Sequence, residues 1–219
     1  MQNIIVHSRT ITQAAFTNEF TDSPAGSIFF IYGSKRIFPL SLTLAAHALI
    51  KGKSIAVVDG CCRFDVHTIT NFARQRRINP DILLKRIYIS RGFTSYQMEA
   101  AINNRLAQFL KKINSNTVMI FGLLDTFYGE QVPFYQVNNM LQRIVVHLKQ
   151  MKEKGISILL ASEERKVLPK ERNQFFDLLK QNADTIYQLL EDSDDIKQIR
   201  NKNYGTHTPN IHKNNRQRD

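Results

Sequence analysis

The residues Gly33-Ser34-Lys35-Arg36-Ile37-Phe38-Pro39-Leu40 stand where a chain that handles nucleoside phosphates would carry its phosphate-binding loop. The run Ile28 to Tyr32 ahead of them reads as a short buried strand, Gly33 opens a turn, and an apolar-periodic helix is expected from about Leu40 to Leu49. Strand, glycine turn and helix are the frame of a GxxxxGK[ST] loop, whose backbone N–H groups and helix N-terminus converge on phosphate oxygens. The frame is there, but its working side chains are not. Phe38, Pro39 and Leu40 occupy the positions of the second glycine, the phosphate-reaching lysine and the magnesium-binding hydroxyl. Pro39 also withdraws a backbone donor. The spacing therefore points to a nucleotide-binding frame that has lost its phosphate chemistry.

The flanking elements repeat one pattern. Strand-like runs at Ser54 to Asp59, Ile87 to Ser90, Val118 to Phe121, Ile156 to Ala161 and Thr185 to Leu190 alternate with helical stretches at Val66 to Arg76, Pro80 to Lys85, Thr94 to Ile113, Gln136 to Glu153 and Asn173 to Lys180. The longest of these before the fourth strand carries Met98, Ile102, Leu106, Phe109, Leu110 and Ile113 on one face. Strand, helix and strand at this spacing form βαβ units, so the fold class is α/β with a mainly parallel twisted sheet flanked by helices. Residues 1–24 read as an extended N-terminal arm, 25–190 as the core domain, and 191–219 as a basic, disordered C-terminal tail.

Composition narrows the function classes. A formal net charge of +11 on 219 residues favours a polyanionic partner, because Lys and Arg gain from counterion release at phosphates. A generally basic surface without such a partner is the plainer reading. The two cysteines, Cys61 and Cys62, are adjacent and unsuited to closing a long disulfide loop, which agrees with a reducing compartment. No spacing of Cys and His matches a zinc site, and no metal is expected. No apolar run is long enough for a membrane span and the first residues lack a secretory pattern, so a cytoplasmic location is expected, or a nuclear one in a eukaryote.

The order of segments resembles the ATPase core of the RecA-type recombinases, particularly the eukaryotic and archaeal strand-exchange proteins and their paralogues. Gly26-Ser27-Ile28 ahead of Ile31-Tyr32-Gly33 is similar to the approach to that family's phosphate loop, and Val57-Val58-Asp59 with Phe64 to its second strand. Arg91-Gly92-Phe93-Thr94 with Gln97 is similar to the segment after its third strand, and the likeness spans about Ala25 to Leu190. The resemblance implies a RecA-like core and a degenerate nucleotide site at Gly33, Phe38, Pro39, Leu40, Cys61, Gly122 and Glu163. Cys61 aligns with the glutamate that prepares the attacking water, Gly122 with the acid that ends the fourth strand, and Ser162 with Glu163 replace a polar sensor pair. Four separate losses imply no catalytic residues and no bound ATP.

The same resemblance implies two DNA-contacting loops. The first maps to Tyr128 to Val137, with Tyr128, Phe134 and Tyr135 able to stack on bases or to pack against a partner or the core. The second maps to Glu164 to Arg172, with Arg165, Lys166, Lys170 and Arg172 as phosphate contacts. Lys197, Arg200, Lys202, Lys213, Arg216 and Arg218 in the tail add a loose, sequence-independent site. The expected function is a non-catalytic recombinase paralogue that binds DNA and assists recombination or repair within an assembly, with Phe38 and Leu40 serving a subunit interface. The alternatives are a protein-interaction scaffold of the same fold and a divergent nucleotide-dependent ATPase.

Overall fold

The structure is a computed structural model that describes residues 7–23, 25–129, 131–189 and 196–200. The elements follow as β1 (His7–Ile11), α1 (Gln13–Thr21), β2 (Ile28–Gly33), α2 (Ile37–Ile50), β3 (Ile55–Asp59), α3 (Val66–Gln75), α4 (Pro80–Leu84) and β4 (Ile87–Arg91). After them come α5 (Ser95–Glu99), α6 (Ala107–Lys112), β5 (Thr117–Phe121), α7 (Phe134–Glu153), β6 (Ser157–Glu163), α8 (Gln174–Asn182), β7 (Thr185–Leu189) and β8 (Ile196–Arg200). A π-helical stretch, Ala100–Leu106, runs α5 into α6.

β2, β3 and β5 are buried at every position, because a parallel strand is covered on both faces and needs apolar side chains on each. With β4, β6 and β7 they form a six-stranded parallel sheet in the order β7-β2-β6-β5-β3-β4, as the alternating pattern predicts. This arrangement is consistent with a RecA-like α/β core. Successive side chains of β2 point to opposite layers. Phe30 and Tyr32 join the cluster under α5 to α8, while Phe29 and Ile31 join the cluster under α1 to α4. Among the described residues no helix is long and apolar enough to cross a membrane.

The N-terminal segment departs from the expected extended arm. β1 and β8 pair antiparallel with each other, and β8 pairs antiparallel with β7, so both strands continue the sheet. Thr12 caps α1 by accepting from the Ala15 N–H at 3.3 Å. Phe16 then packs 4.4 Å from Tyr187, and Phe20 packs 5.3 Å from Phe29. Two phenylalanines four residues apart in a polar background give almost no periodic signal, and their partners lie in other strands. Lys197 and Arg200 accordingly belong to a strand paired on both sides and not to an untethered tail. Lys202, Lys213, Arg216 and Arg218 lie outside the described residues.

Candidate functional site

β2 ends at Gly33, whose backbone passes so close to β7 that an added Cβ would stand 2.7 Å from Leu189 O. Gly33 O accepts from the Glu164 N–H at 2.8 Å, which ties the ends of β2 and β6. Only Ser34, Lys35 and Arg36 separate the strand from α2. The Ile37 and Phe38 N–H groups donate back to Ser34 O and Lys35 O at 3.1 and 3.3 Å, and Leu40 N–H donates to Arg36 O at 3.2 Å. Pro39 has no N–H to offer. The Ile37, Phe38 and Leu40 donors at the start of α2 are thus used inside the turn. α2 starts at Ile37, about three residues earlier than its expected start, because Ile37, Phe38 and Leu40 are buried and draw the first turn onto the sheet. Phe38 is 2% exposed with its ring 5.6 Å from that of Phe121. Phe38 and Leu40 are therefore spent within the chain and do not present the subunit interface expected of them.

Asp59 ends β3 fully buried and organises the next turn. Its Oδ1 accepts from the Cys61 and Arg63 N–H groups at 3.1 and 3.2 Å, and Oδ2 accepts from the Phe64 N–H at 3.0 Å. The Arg91 guanidinium adds a cation 3.8 Å away. A buried carboxylate is tolerated only when satisfied in this way. The turn presses Cys61 against Gly122, which leaves β5 in the left-handed region at φ +56°. A Cβ on Gly122 would stand 2.3 Å from Cys61 Cβ and 2.6 Å from Asp125 Oδ2. A side chain at position 122 would clash with Cys61 and Asp125, so positions 61 and 122 form one packing unit. Burial, then the Asp59 and Asp125 carboxylates, push the Cys61 thiol far above its ordinary range. Burial thus favours the protonated thiol over the thiolate that base or nucleophile chemistry would need.

Phe38, Cys61, Arg63, Phe93, Asp125, Glu163 and Arg165 line part of a cleft of about 320 Å³ beyond the C-terminal ends of β3, β5 and β6. Ligands of parallel α/β sheets bind at this end. Asp125 pairs with Arg165 at 2.5 Å. Burial nevertheless raises the Asp125 carboxyl above its usual range, opposed by Arg165 and assisted by Glu163. Its two guanidiniums, Arg63 and Arg165, face two carboxylates, Asp125 and Glu163, and no lysine or hydroxyl stands at Pro39 and Leu40. Ser162 is buried within β6. Among the described residues no group of three or more His, Cys, Asp or Glu is placed to hold a metal ion.

The structure divides the DNA-contact candidates. Arg172 is 2% exposed, and its Nη1 and Nη2 donate to Phe127 O and Val132 O at 2.5 and 2.6 Å. It bridges the Phe127 and Val132 carbonyls and is withdrawn from any phosphate. Tyr128 is buried in the core, with the Arg165 guanidinium 5.4 Å from its ring, and burial raises its phenol above the ordinary range. Phe134 stacks at 5.4 Å and 1° on Phe175. These three are structural because their carbonyl and ring partners lie inside the chain, a long-range fact that sequence spacing does not carry. Arg165, Lys166, Lys170 and Tyr135 remain exposed. Asp59 and Gln136, whose amide joins Tyr96 to Tyr135, were not among the expected site residues. An acid closing an apolar strand is the only sequence signal that marks Asp59, and none marks Gln136.

Neither a scan against protein-family models nor a search of curated proteins finds a match to this chain.

Gly122→Ala should lower the unfolding free energy by roughly 2–4 kcal/mol through overpacking and left-handed strain. In a Cys61→Gly background that penalty should shrink by about 1 kcal/mol or more, read by urea denaturation. Equal penalties in both backgrounds would contradict the interlock. At about pH 8, near the ordinary thiol range, a chromogenic disulfide reagent should titrate exposed Cys62 alone in the native protein and both thiols in urea. Prompt native reaction of both would show that Cys61 is not held protonated.

Proposed function

We propose that this chain is a non-catalytic paralogue of the RecA-like recombinases that binds DNA within a larger assembly and assists homologous recombination or repair. The observation that carries the non-catalytic part is the closed turn between β2 and α2, in which Phe38 is buried and the first-turn N–H groups are already bonded. The Cys61 and Gly122 interlock supports the same reading at the positions where hydrolysis would need acids. The reading as a divergent ATPase has no comparable support.

The DNA part rests on charge. The net +11 and the exposed Arg165, Lys166 and Lys170 on the segment after β6 favour a polyanion held through its phosphates. With Arg172 withdrawn, the patch is smaller than the sequence alone implies. The assembly part rests on β4, the last strand of the sheet on its side. Tyr88 and Ile89 are exposed on it beside an apolar hollow of about 220 Å³ that Leu106 and Phe109 also line. Among the described residues no strand pairs with the outer side of β4, and a partly apolar edge of that kind is a common site of strand addition by another protein. This edge also favours the scaffold reading, in which a protein partner is the only one.

A gel-shift series on the intact chain separates these readings. DNA binding should weaken steeply with salt, and the Lys166→Gln/Lys170→Gln double variant should flatten the slope of log affinity against log salt by about 1 to 2. No shift at low salt would remove the DNA reading and leave the scaffold.

A further inference from the structure

In a sheet of parallel strands joined by helices, each helix runs back against the strands, so helix C-termini gather at the end where the strands begin. Here that end is crowded with cations. Lys51 and Lys53 lie between α2 and β3, and Arg74, Arg76 and Arg77 close α3. Lys85 and Arg86 join α4 to β4. In the other layer α6 ends on Lys111 and Lys112, and Lys154 follows α7. Hydrogen bonds tie these turns into one rim. Ser115 Oγ donates to Ser54 O at 2.5 Å, the Ile55 N–H to Arg86 O at 2.9 Å and the Ser157 N–H to Asn116 O at 2.7 Å. A polar hollow of about 60 Å³ opens among them, lined in part by Thr21, Ser23, Lys53, Asn116 and Ser157.

Acids at this end are few: Asp22, Asp81, Glu153 and Asp184. Asp22 pairs with Lys51 at 3.1 Å, and Asp184 pairs with Lys152. Arg74, Arg77, Lys85, Lys111, Lys112 and Lys154 are exposed and form no ion pair among the described residues. At the opposite end the balance differs. Arg165, Lys166 and Lys170 stand in one segment with Glu163, Glu164 and Glu171, and Arg63 shares its cleft with Asp125. The positive excess of the core therefore lies where the strands begin.

Helix dipoles favour a cation or two at each helix end. They do not account for Arg77. It follows α3 in the left-handed region at φ +56°, with its N–H bonded to Arg74 O at 2.9 Å. Glycine is the ordinary residue in such a turn, and Gly52 and Gly155 fill it after α2 and α7. An arginine there keeps an exposed guanidinium at a conformational cost, which points to a use for that charge.

We propose that this rim binds the phosphate backbone of double-stranded DNA. The proposal deepens, and rests on, the DNA reading above, and places a contact surface at the opposite end of the sheet from Lys166 and Lys170. No aromatic ring stands in these turns to stack on bases, so the contacts are with phosphates and carry no sequence preference. A duplex carries one charge about every 1.7 Å of its axis, roughly twice the density of a single strand, and releases more counterions per contact. That sets the preference for the duplex. Ile50 and Ile82 are the large apolar side chains exposed on these helix ends, too little to anchor the chain in a lipid surface.

Fluorescence anisotropy of the intact chain with a labelled blunt duplex of about thirty base pairs, over a salt series, tests the rim. The Arg77→Gln/Lys111→Gln/Lys112→Gln variant should flatten the slope of log affinity against log salt by about 2 to 3 and bind roughly tenfold more weakly or worse at about 0.1 M salt. Arg77→Gly should also bind the duplex more weakly and yet melt no lower than the intact chain, which a purely structural arginine would not give. If the triple variant keeps the affinity and slope of the intact chain, the rim is wrong while the DNA reading stands. Tighter binding of a labelled oligothymidylate than of the duplex, or binding of phosphatidylserine vesicles without binding of the duplex, also overturns it. If the intact chain binds neither duplex nor oligothymidylate at low salt, the DNA reading falls and the rim with it.

Discussion

The turn of three residues between Gly33 and Ile37 constrains everything that the sheet's C-terminal end can do. A phosphate cradle needs a loop long enough to aim several free N–H groups at one point, and this chain winds that loop into the first turn of α2. Packing decides the outcome. Burying Phe38 and Leu40 stabilises by roughly 1.5–3 kcal/mol each, whereas an open loop would leave both in water. Once Phe38 meets Phe121, the space between the ends of β2 and β5 is occupied by a ring.

The ends of β3 and β5 are packed just as closely. Asp59 keeps its place at the end of β3, but its carboxylate is used to fold the 60–64 turn and shows no free oxygen to a ligand. That turn sets Cys61 in the space a side chain on Gly122 would need. An acid at 122 would demand a smaller residue at 61 and a new course for the chain after Asp59. What remains open lies around the filled site: the edge of β4, the basic stretch after β6, and the aromatic rings at the start of α5 and α7.

Much of this was legible in the sequence, for physical reasons. Buried parallel strands must be apolar on both faces, so Ile28 to Tyr32, Ser54 to Asp59 and Val118 to Phe121 mark themselves, and their alternation with helices fixes the sheet as parallel. The replaced loop residues were visible because the motif has a fixed spacing. Features that depend on distant partners were not legible. Arg172 in a charged run looks like a phosphate contact, and only the fold shows it bonded to carbonyls forty or more positions away. α1 carries just Phe16 and Phe20 as apolar anchors, and their value comes from Tyr187 and Phe29. The left-handed Gly122 and its contact with Cys61 couple two positions far apart in the sequence, and no local pattern encodes that.

Titration calorimetry of the intact protein with magnesium ATP addresses the closed site directly. With the turn wound into α2 and Phe38 in the core, the expected result is no saturable heat up to millimolar nucleotide. Saturable binding with a Kd in the micromolar range, a free energy of about −8 kcal/mol, would show that the loop opens and would contradict the closed site.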